Sequence, residues 1–333
     1  MDVLSNLKFI AGILYGIPCM VIYGIVAFVI YKKPYRFYKT FYKLFIVGFW
    51  MNFVCYLSSY LTMRIPSVTH PNGPFWDFYS TLNRNNTDTI FPLSFFHTLH
   101  FEFAYTQYLF NMILCLNRYS SLHWWLRDEK YWKKAFWPIV VALFALPFVF
   151  FTHQIFFNFS FFNWNPISQH LAIDSTYDKK YIYRCLMPFL IIVTLVNTLL
   201  NVFTCILYRK EETERLLKNP LFKMPGRSHF SIAYASFFIE LFLATLTVII
   251  FYITNCADME SVITYILYNI VVFFVPLASD ALTLSQPFLM LYHSKKTRNE
   301  VRSFLGIPQK PNVPAETNME VIANSESETS SYL

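Results

Sequence analysis

The stretch FFHTLHFEFAYTQYLFNMILCLNRYSSL, from Phe95 to Leu122, combines a long apolar run with polar side chains at regular intervals. The run ends on Asn117-Arg118-Tyr119, where a permanently charged guanidinium follows the apolar residues. Such an arginine has two explanations. It marks the point where a membrane helix leaves the lipid, or it is a switch residue that a cytoplasmic partner contacts. The rest of the chain has to distinguish these two roles.

The composition indicates a membrane protein. The 333 residues are 55% hydrophobic and 20% aromatic but only 14% charged, whereas soluble domains average about 25% charged residues. The seven glycines form neither a G-x-G-x-x-G nor a Walker-type phosphate loop. The net charge of +7 is spread between apolar runs rather than along one stripe, so we expect no nucleic-acid partner.

Seven stretches are long and apolar enough to span a bilayer, which takes about 20 residues. They are Ile10–Tyr31, Phe41–Leu61, Leu93–Leu116, Phe136–Phe157, Leu186–Tyr208, Phe230–Thr254 and Val262–Tyr292. The predicted fold class is an all-α membrane protein with a seven-helix bundle at residues 10–292. Residues 1–9 precede the bundle, and residues 293–306 are predicted to form an amphipathic juxtamembrane helix. Residues 307–333 are rich in Ser, Glu, Asn and Pro, which predicts a disordered cytoplasmic tail.

Basic residues predict the orientation of the bundle. The first, third and fifth connections and the tail together hold 21 of the 27 Lys and Arg residues, and cytoplasmic connections carry such an excess. The amino terminus is therefore expected outside. Both N-x-[ST] glycosylation acceptors, Asn85 and Asn158, fall on the predicted outer side. We therefore expect a multi-pass glycoprotein of the plasma membrane.

Polar side chains inside the third span predict a ligand site, because they are costly in lipid and face the bundle interior. Four of them fall within about 20° of one line at 100° per residue: His100, Gln107, Asn111 and Arg118. We expect a mostly apolar pocket in which His100, Gln107 and Asn111 are the polar anchors. Glu102 lies on nearly the opposite side, which favours a structural hydrogen-bonding role near the outer boundary.

Two carboxylates complete the ligand-site prediction. Glu240 in the sixth span and Asp280 in the seventh lie at a similar depth, roughly 16–18 Å from the inner surface. If they face each other, they share a proton or bind a cation; otherwise each is hydrogen-bonded separately. The same two residues would serve a secondary transporter as a proton or cation site, which is the alternative function. The absence of glycine-broken spans argues against it.

Catalytic and metal-binding patterns are weak in this sequence. His97 and His100 stand three residues apart, but a metal needs further ligands at the same depth, and outer-face candidates are scarce. No Ser-His-Asp or Cys-His arrangement is evident. We therefore expect no enzyme activity, no metal and no cofactor.

The segment SQPFLMLY, Ser285–Tyr292, predicts a distortion at the inner end of the seventh span. Pro287 lacks the backbone N–H of an ordinary helical residue, so we expect a kink five residues before Tyr292. The basic segment that follows, His293–Leu305, predicts a short helix lying along the inner membrane surface.

These features together resemble a G-protein-coupled receptor. Asn117-Arg118-Tyr119 is similar to the Asp-Arg-Tyr motif of rhodopsin-like receptors, and Gln286-Pro287 with Tyr292 is similar to their Asn-Pro-x-x-Tyr motif. The chain more closely resembles the nematode serpentine chemoreceptors, and among them the class V group of the class gamma superfamily. The segments that carry this resemblance are FYKLFIVGF (Phe41–Phe49), MRIPS (Met63–Ser67), FWDFY (Phe75–Tyr79) and LNRYSSL (Leu116–Leu122).

The resemblance implies a chemosensory receptor of the plasma membrane, at the cilium of a sensory neuron. Such a receptor binds a small, weakly polar ligand from outside and activates a heterotrimeric G protein. G-protein coupling is then expected at Asn117, Arg118 and Tyr119, and a switch in the seventh span at Pro287 and Tyr292. Because asparagine stands where the motif has aspartate, the usual carboxylate restraint on Arg118 is absent.

The cysteines and the carboxyl terminus give two further expectations. No cysteine lies at the outer end of the third span, so the usual disulfide to the second outer loop cannot form. Cys185 and Cys256 fall at outer helix ends, where they can be oxidised, and we expect them to pair. Ser331-Tyr332-Leu333 matches a carboxyl-terminal PDZ ligand, a pattern common by chance, so a PDZ-domain partner is a further hypothesis.

Overall fold

The computed structural model describes residues 3–35, 37, 39–71, 73, 75–85, 92–123, 128–165, 170–177, 179–218, 237–239, 241–242, 244–246, 248–249, 252 and 262–308. The helices within these ranges are α1 (Val3–Lys32), α2 (Thr40–Ser59), α3 (Trp76–Asn85), α4 (Leu93–His123), α5 (Asp128–Pro147), α6 (His153–Phe156), α7 (Lys179–Lys218), α8 (Val262–His293) and α9 (Lys295–Phe304). The described residues of the predicted sixth span, 237–239, 241–242, 244–246, 248–249 and 252, are helical.

Two π-helical turns extend the helices beyond the ends of α2 and α5. They are Tyr60–Arg64, which is followed by a 3-10 turn at Pro66–Val68, and Phe148–Thr152, which leads into α6. A π-turn contains one more residue than an α-helical turn and so changes the direction in which the following side chains point. Each turn places one of its side chains against a buried carboxylate: Arg64 contacts Asp280, and Thr152 contacts Glu102.

Four helical segments among the described residues are long and apolar enough to cross a membrane: Phe9–Lys32, Thr40–Val68, Glu129–Phe156 and Arg184–Lys210. Their outer surfaces carry large apolar side chains; Trp137, for example, is 69% exposed. Such a large apolar surface is unfavourable in water but favourable in contact with lipid tails. The chain is therefore a multi-pass membrane protein.

α4 is the central helix of the bundle. It contacts α2, α5 and α7, and its amino-terminal end contacts the segment that follows α6. α2 and α4 approach each other closely at Gly48, where an added Cβ would lie 2.7 Å from the ring of Phe110. Both sides of α4 are buried, so polar residues on either side lie inside protein rather than in lipid.

A β-hairpin follows α6, and the prediction of a purely helical chain is wrong at this point. Strand β1 (Ser160–Asn165) pairs antiparallel with β2 (His170–Ser175). Phe162, Leu171 and Ile173 are buried against Tyr79 of α3, so alternate residues face inward as in any half-buried sheet. Two adjacent strands satisfy their backbone groups by pairing, which an irregular loop would not do. Burial raises the pKa of the Tyr79 hydroxyl, which donates to the carbonyl of Leu61 at 2.9 Å.

α9 turns away from the end of α8 and packs against α1. Ser294 caps its amino terminus by accepting from the backbone N–H of Thr297 at 3.2 Å. Glu300 pairs with Lys33 at 2.5 Å. The helix ends before Gly306, whose φ of +69° suits glycine because that region disfavours side chains.

Candidate functional site

A buried ion pair lies between α8 and the first π-turn. Arg64 donates from its guanidinium to Asp280 Oδ1, and the hydroxyl of Tyr15 on α1 donates to Asp280 Oδ2. Arg64 Nε also donates to Ser59 Oγ at 3.3 Å. Both oxygens of this carboxylate therefore have a protein partner, and three elements meet at it.

The rings of two tyrosines pack against the guanidinium of Arg64. Its carbon lies 4.8 Å from the ring centroid of Tyr60 and 5.5 Å from that of Tyr56, an arrangement that favours a cation. The Tyr56 hydroxyl donates to the carbonyl of Gly12 at 3.2 Å. An added Cβ at Gly16 would lie 1.9 Å from the Tyr56 hydroxyl oxygen, so glycine is needed where α1 passes this ring.

One helical turn further along α8, an amide network joins three helices. Gln107 of α4 donates from Nε2 to Asn52 Oδ1 of α2 at 3.2 Å and to Thr283 Oγ1 of α8 at 3.1 Å. Asn52 in turn donates from Nδ2 to the carbonyl of Thr283 at 3.2 Å. All three side chains are buried. Gln107 thus connects helices in this structure, and its amide nitrogen is already engaged.

Asp280, Thr283 and Gln286 follow one another at three-residue intervals and lie on one face of α8. We call this set the polar seam. At its carboxyl-terminal end Gln286 Oε1 accepts from the hydroxyl of Tyr23 on α1 at 3.0 Å. The seam therefore links α8 to α1 at both ends and to α2 and α4 in the middle. α8 remains helical through Pro287, which is itself buried.

Arg118 is buried near the carboxyl-terminal end of α4. It is 4% exposed, and its guanidinium carbon lies 5.6 Å from the ring centroid of Phe41 on α2. A snorkelling arginine would extend toward water, whereas this one points into the bundle. Tyr119 follows on the same helix and is half-buried, while Tyr292 is 74% exposed.

Asn117 is also buried, and its backbone is tied to α5. Its carbonyl accepts from Ser120 Oγ at 3.1 Å, and this hydroxyl accepts from Trp132 Nε1 at 2.8 Å. Glu129, also on α5, accepts from the backbone N–H and the hydroxyl of Thr40, each at 3.0 Å, and so caps α2. The amino-terminal ends of α2 and α5 and the carboxyl-terminal end of α4 are thus joined around the Asn117-Arg118-Tyr119 motif.

The residues predicted to bind ligand do not form one cluster. Gln107 donates a hydrogen bond to Thr283, which lies one helical turn from Asp280 on α8. His100 is instead half-buried beside Phe101. Asn111 is buried, and its amide nitrogen has no hydrogen-bond partner among the described residues. Glu240 lies outside the described residues, so its approach to Asp280 stays a prediction.

Sequence reasoning assigned no role to Arg64, which is one of the six Lys and Arg residues outside the connections and tail predicted to be cytoplasmic. One signal was present: Arg64 is the only Lys or Arg between Lys43 and Arg84, directly after an apolar run. A lone cation in that position pairs naturally with the lone acid of a neighbouring span, Asp280. The intervening π-turn, which directs Arg64 inward, has no comparable signature in the sequence.

A second buried carboxylate lies on the opposite side of α4. Glu102 is 6% exposed, and its Oε2 accepts from Thr152 Oγ1 at 2.5 Å, at the end of the second π-turn. Glu102 Oε1 is buried without a hydrogen-bond partner in the described part of the chain. The hydroxyl of Tyr105, one turn along the same helix, is in the same state. Each buried polar group that lacks a hydrogen-bond partner lowers the free energy of unfolding by about 1–3 kcal/mol.

Aromatic rings enclose this second carboxylate site. Tyr105 stacks on Phe151 with ring centroids 4.6 Å apart and an interplanar angle of 2°. Phe189 of α7 meets Tyr105 edge-on at 4.9 Å. The rings come from α4, the second π-turn and α7, so three elements converge on it.

Hydrogen bonds join the amino-terminal end of α4 to the β-hairpin. Ser94 Oγ donates to the carbonyl of Asn158 at 2.7 Å and accepts from the backbone N–H of Ser160 at 3.1 Å. His97 Nδ1 lies 2.9 Å from Ser160 Oγ. These contacts join the two elements that a disulfide would join in the receptors that this chain resembles.

The predicted modification sites are only partly visible. Asn158 is half-buried and donates from its amide nitrogen to the carbonyl of Gln154 at 2.6 Å. Asn85 is the last residue of α3, and its side chain is not among those described. Cys185 is exposed, while Cys256 lies outside the described residues. Their disulfide stays a prediction, and residues 309–333 of the carboxyl-terminal tail are likewise outside the described residues.

Two comparisons with known proteins bear on this arrangement. The family model described as Srg family chemoreceptor matches residues 9–301. Serpentine receptor class gamma-31 of Caenorhabditis elegans is 20% identical over 294 residues, which cover 88% of this chain and 91% of that protein. The matched region contains the ion pair, the polar seam, Arg118 and the Glu102 site.

Proposed function

Because this chain belongs to the Srg family of chemoreceptors, we propose that it is a G-protein-coupled chemosensory receptor. It binds a small, weakly polar ligand from outside and activates a heterotrimeric G protein. The observation that carries the proposal is the polar seam, which links the outer ion pair at Asp280 to Tyr23 deeper in the bundle. A hydrogen-bonded face shared by four helices is an element that ligand binding can shift between two arrangements.

The proposed topology has seven spans and an outer amino terminus. α4 and α8 supply two spans beyond the four strongly apolar segments, and Phe230–Thr254 supplies the remaining one. The receptor then lies in the plasma membrane, at the sensory cilium, with α9 and the tail on the cytoplasmic side. The excess of basic residues in the connections on that side supports this orientation.

Glycosylation tests the topology. Asn85 is the better acceptor of the two, because the amide nitrogen of Asn158 is already bonded to Gln154. In sealed microsomes we expect an Asn85 glycan and protease cleavage near Lys130. A glycan combined with an amino-terminal tag that faces the cytosol would contradict the orientation.

The proposed cytoplasmic switch is centred on Arg118. Asn117, Tyr119, Pro287 and Tyr292 are its proposed companions. A buried guanidinium over Phe41 can leave that ring and engage a G protein when the inner ends of α2, α4 and α5 separate. The same motion would release the contacts that tie Asn117 to α5.

Arg118→Ala tests this role directly. We expect normal surface expression and normal ligand binding, but loss of G-protein nucleotide exchange. Lys134→Ala, which removes an exposed cation from the inner part of α5, is the matched control and should retain exchange. Parallel loss of folding and exchange in Arg118→Ala would show that the arginine is structural.

Asn117→Asp restores the acid of the Asp-Arg-Tyr motif. A carboxylate holds a guanidinium more strongly than an amide does, so we expect lower basal nucleotide exchange. Basal exchange is measured without ligand at matched receptor density. An increase would show that the resting state does not depend on this residue.

The transporter alternative receives less support from the geometry. It needs Asp280 to bind a proton or cation in turn, together with Glu240. Arg64 already provides the cation at Asp280, and Tyr15 engages the second oxygen. Proteoliposomes that show ligand-independent ion flux would nevertheless favour the transporter over the receptor.

A further inference from the structure

The strongest unexplained feature of the bundle is the pair of polar atoms left open on the α5 side of α4. Glu102 Oε1 and the hydroxyl of Tyr105 are both buried, and neither has a hydrogen-bond partner among the described residues. They stand one helical turn apart and so lie on the same side of the helix. Buried polar groups are nearly always satisfied in native proteins, so two neighbouring exceptions need an explanation.

The surrounding residues hold these atoms in position. Thr152 binds the other carboxylate oxygen of Glu102 at 2.5 Å, and Phe151 stacks on the Tyr105 ring. Both partners belong to the π-turn Phe148–Thr152, an element that occurs frequently at functional sites. Phe189 closes the side toward α7. The open acceptor and the open hydroxyl are therefore fixed rather than free to turn toward other partners.

We infer that Glu102 and Tyr105 are the polar anchors of the ligand site, and that the ligand carries a hydroxyl or amino group on a flat apolar body. This inference rests on the proposed receptor function and moves its binding site from the predicted stripe to the other side of α4. A hydroxyl or amino group donates to Glu102 Oε1 and contacts the Tyr105 hydroxyl. A flat body matches the aromatic walls at Tyr105, Phe151 and Phe189.

The test uses three probes of one shape on the purified full chain in lipid nanodiscs. Benzyl alcohol and benzylamine carry a donor, whereas toluene has none, and binding is followed by ligand-observed NMR and thermal unfolding. We expect toluene to bind at least tenfold more weakly than the better polar probe. A preference for the alcohol indicates a neutral ligand head group, and a preference for the amine indicates a cationic one. Equal binding of all three probes, or no binding, overturns the inference.

Variants then assign the preference to residues. Glu102→Leu removes both acceptor oxygens, and we expect toluene to bind as well as the polar probes. Glu102→Gln keeps one acceptor and should retain part of the preference for the alcohol. Asp77→Asn, at an exposed carboxylate of α3, is the control and should behave like the wild type. An unchanged preference in Glu102→Leu overturns the inference.

Tyr105→Phe covers the case in which Glu102→Leu does not fold. It removes one hydroxyl and keeps the ring stacked on Phe151, so we expect a several-fold loss for the polar probes and none for toluene. A uniform loss for all three would mean that the hydroxyl is structural, which contradicts the inference. Because binding is measured without a G protein, a chain that binds but fails to stimulate nucleotide exchange refutes the proposed function and not this site.

Discussion

Two buried carboxylates, Asp280 and Glu102, lie in similar surroundings but differ in how completely they are bonded. Each receives a side chain from a π-turn: Arg64 reaches Asp280, and Thr152 reaches Glu102. Asp280 has partners on both oxygens, one of them a cation. Glu102 has one neutral partner, and within the described ranges of the chain its other oxygen has none. A fully satisfied acid stabilises the bundle, whereas a half-satisfied acid costs stability and is retained where it binds something.

The environments of the two acids support this distinction. Around Asp280, the rings of Tyr56 and Tyr60 are used to hold Arg64, and Gly16 brings α1 close against them. Around Glu102, the rings of Tyr105 and Phe151 stack on each other, while Glu102 Oε1 and the Tyr105 hydroxyl have no hydrogen-bond partner among the described residues. The protein's own residues bond both oxygens of Asp280, whereas the Glu102 site is the one at which we propose that a further molecule binds.

Breaking the ion pair should have the largest effect on stability. Arg64→Ala leaves Asp280 as an uncompensated buried charge, which costs about 3–5 kcal/mol, so we expect little folded receptor at the cell surface. Arg184→Ala, at an exposed arginine of α7, is the control. Replacing both partners, as Arg64→Met with Asp280→Leu, should recover much of the loss. Full stability of the single variant would mean that the pair is not structural.

Gly16→Ala should have an intermediate effect. The new Cβ would lie 1.9 Å from the Tyr56 hydroxyl oxygen, so the ring beneath Arg64 has to move. Crowding of this kind costs about 1–3 kcal/mol, which thermal unfolding in nanodiscs would detect. Gly24→Ala is the matched control on the same helix, because its Cβ would lie 3.7 Å from its nearest neighbour. Equal effects of the two substitutions would show that the Tyr56 ring moves aside without loss of stability.

Glu102→Leu should have the smallest effect and the opposite sign. It removes an unsatisfied acceptor from an apolar environment, so we expect unchanged stability or a gain of about 1 kcal/mol. Asp280→Leu in the same assay should be destabilising, since it strands Arg64. If Glu102→Leu destabilises as strongly as Asp280→Leu, the two acids are both structural and the comparison fails.

Several features of this protein were predictable from the sequence. The resemblance to nematode serpentine chemoreceptors is confirmed by the Srg match over residues 9–301 and by the class gamma relative, while the class V assignment stays a prediction. Helical periodicity placed Gln107 and Arg118 on an interior side of the third span, and both are buried. Glu102 was expected to have a hydrogen-bonding role, and it accepts from Thr152.

The sequence by itself determined which segments are apolar helices, because length and hydropathy are local properties that lipid selects directly. It also determined which side chains of one helix share a side, since this follows from the helical repeat. The tertiary structure alone decided which helices those sides meet. The rotation and spacing of separate helices depend on packing at contacts such as Gly48 with Phe110, and one extra residue in a π-turn redirects Arg64 or Thr152. Asp280 therefore gained a cation that the sequence placed in a loop, and Glu102 was left with an open oxygen.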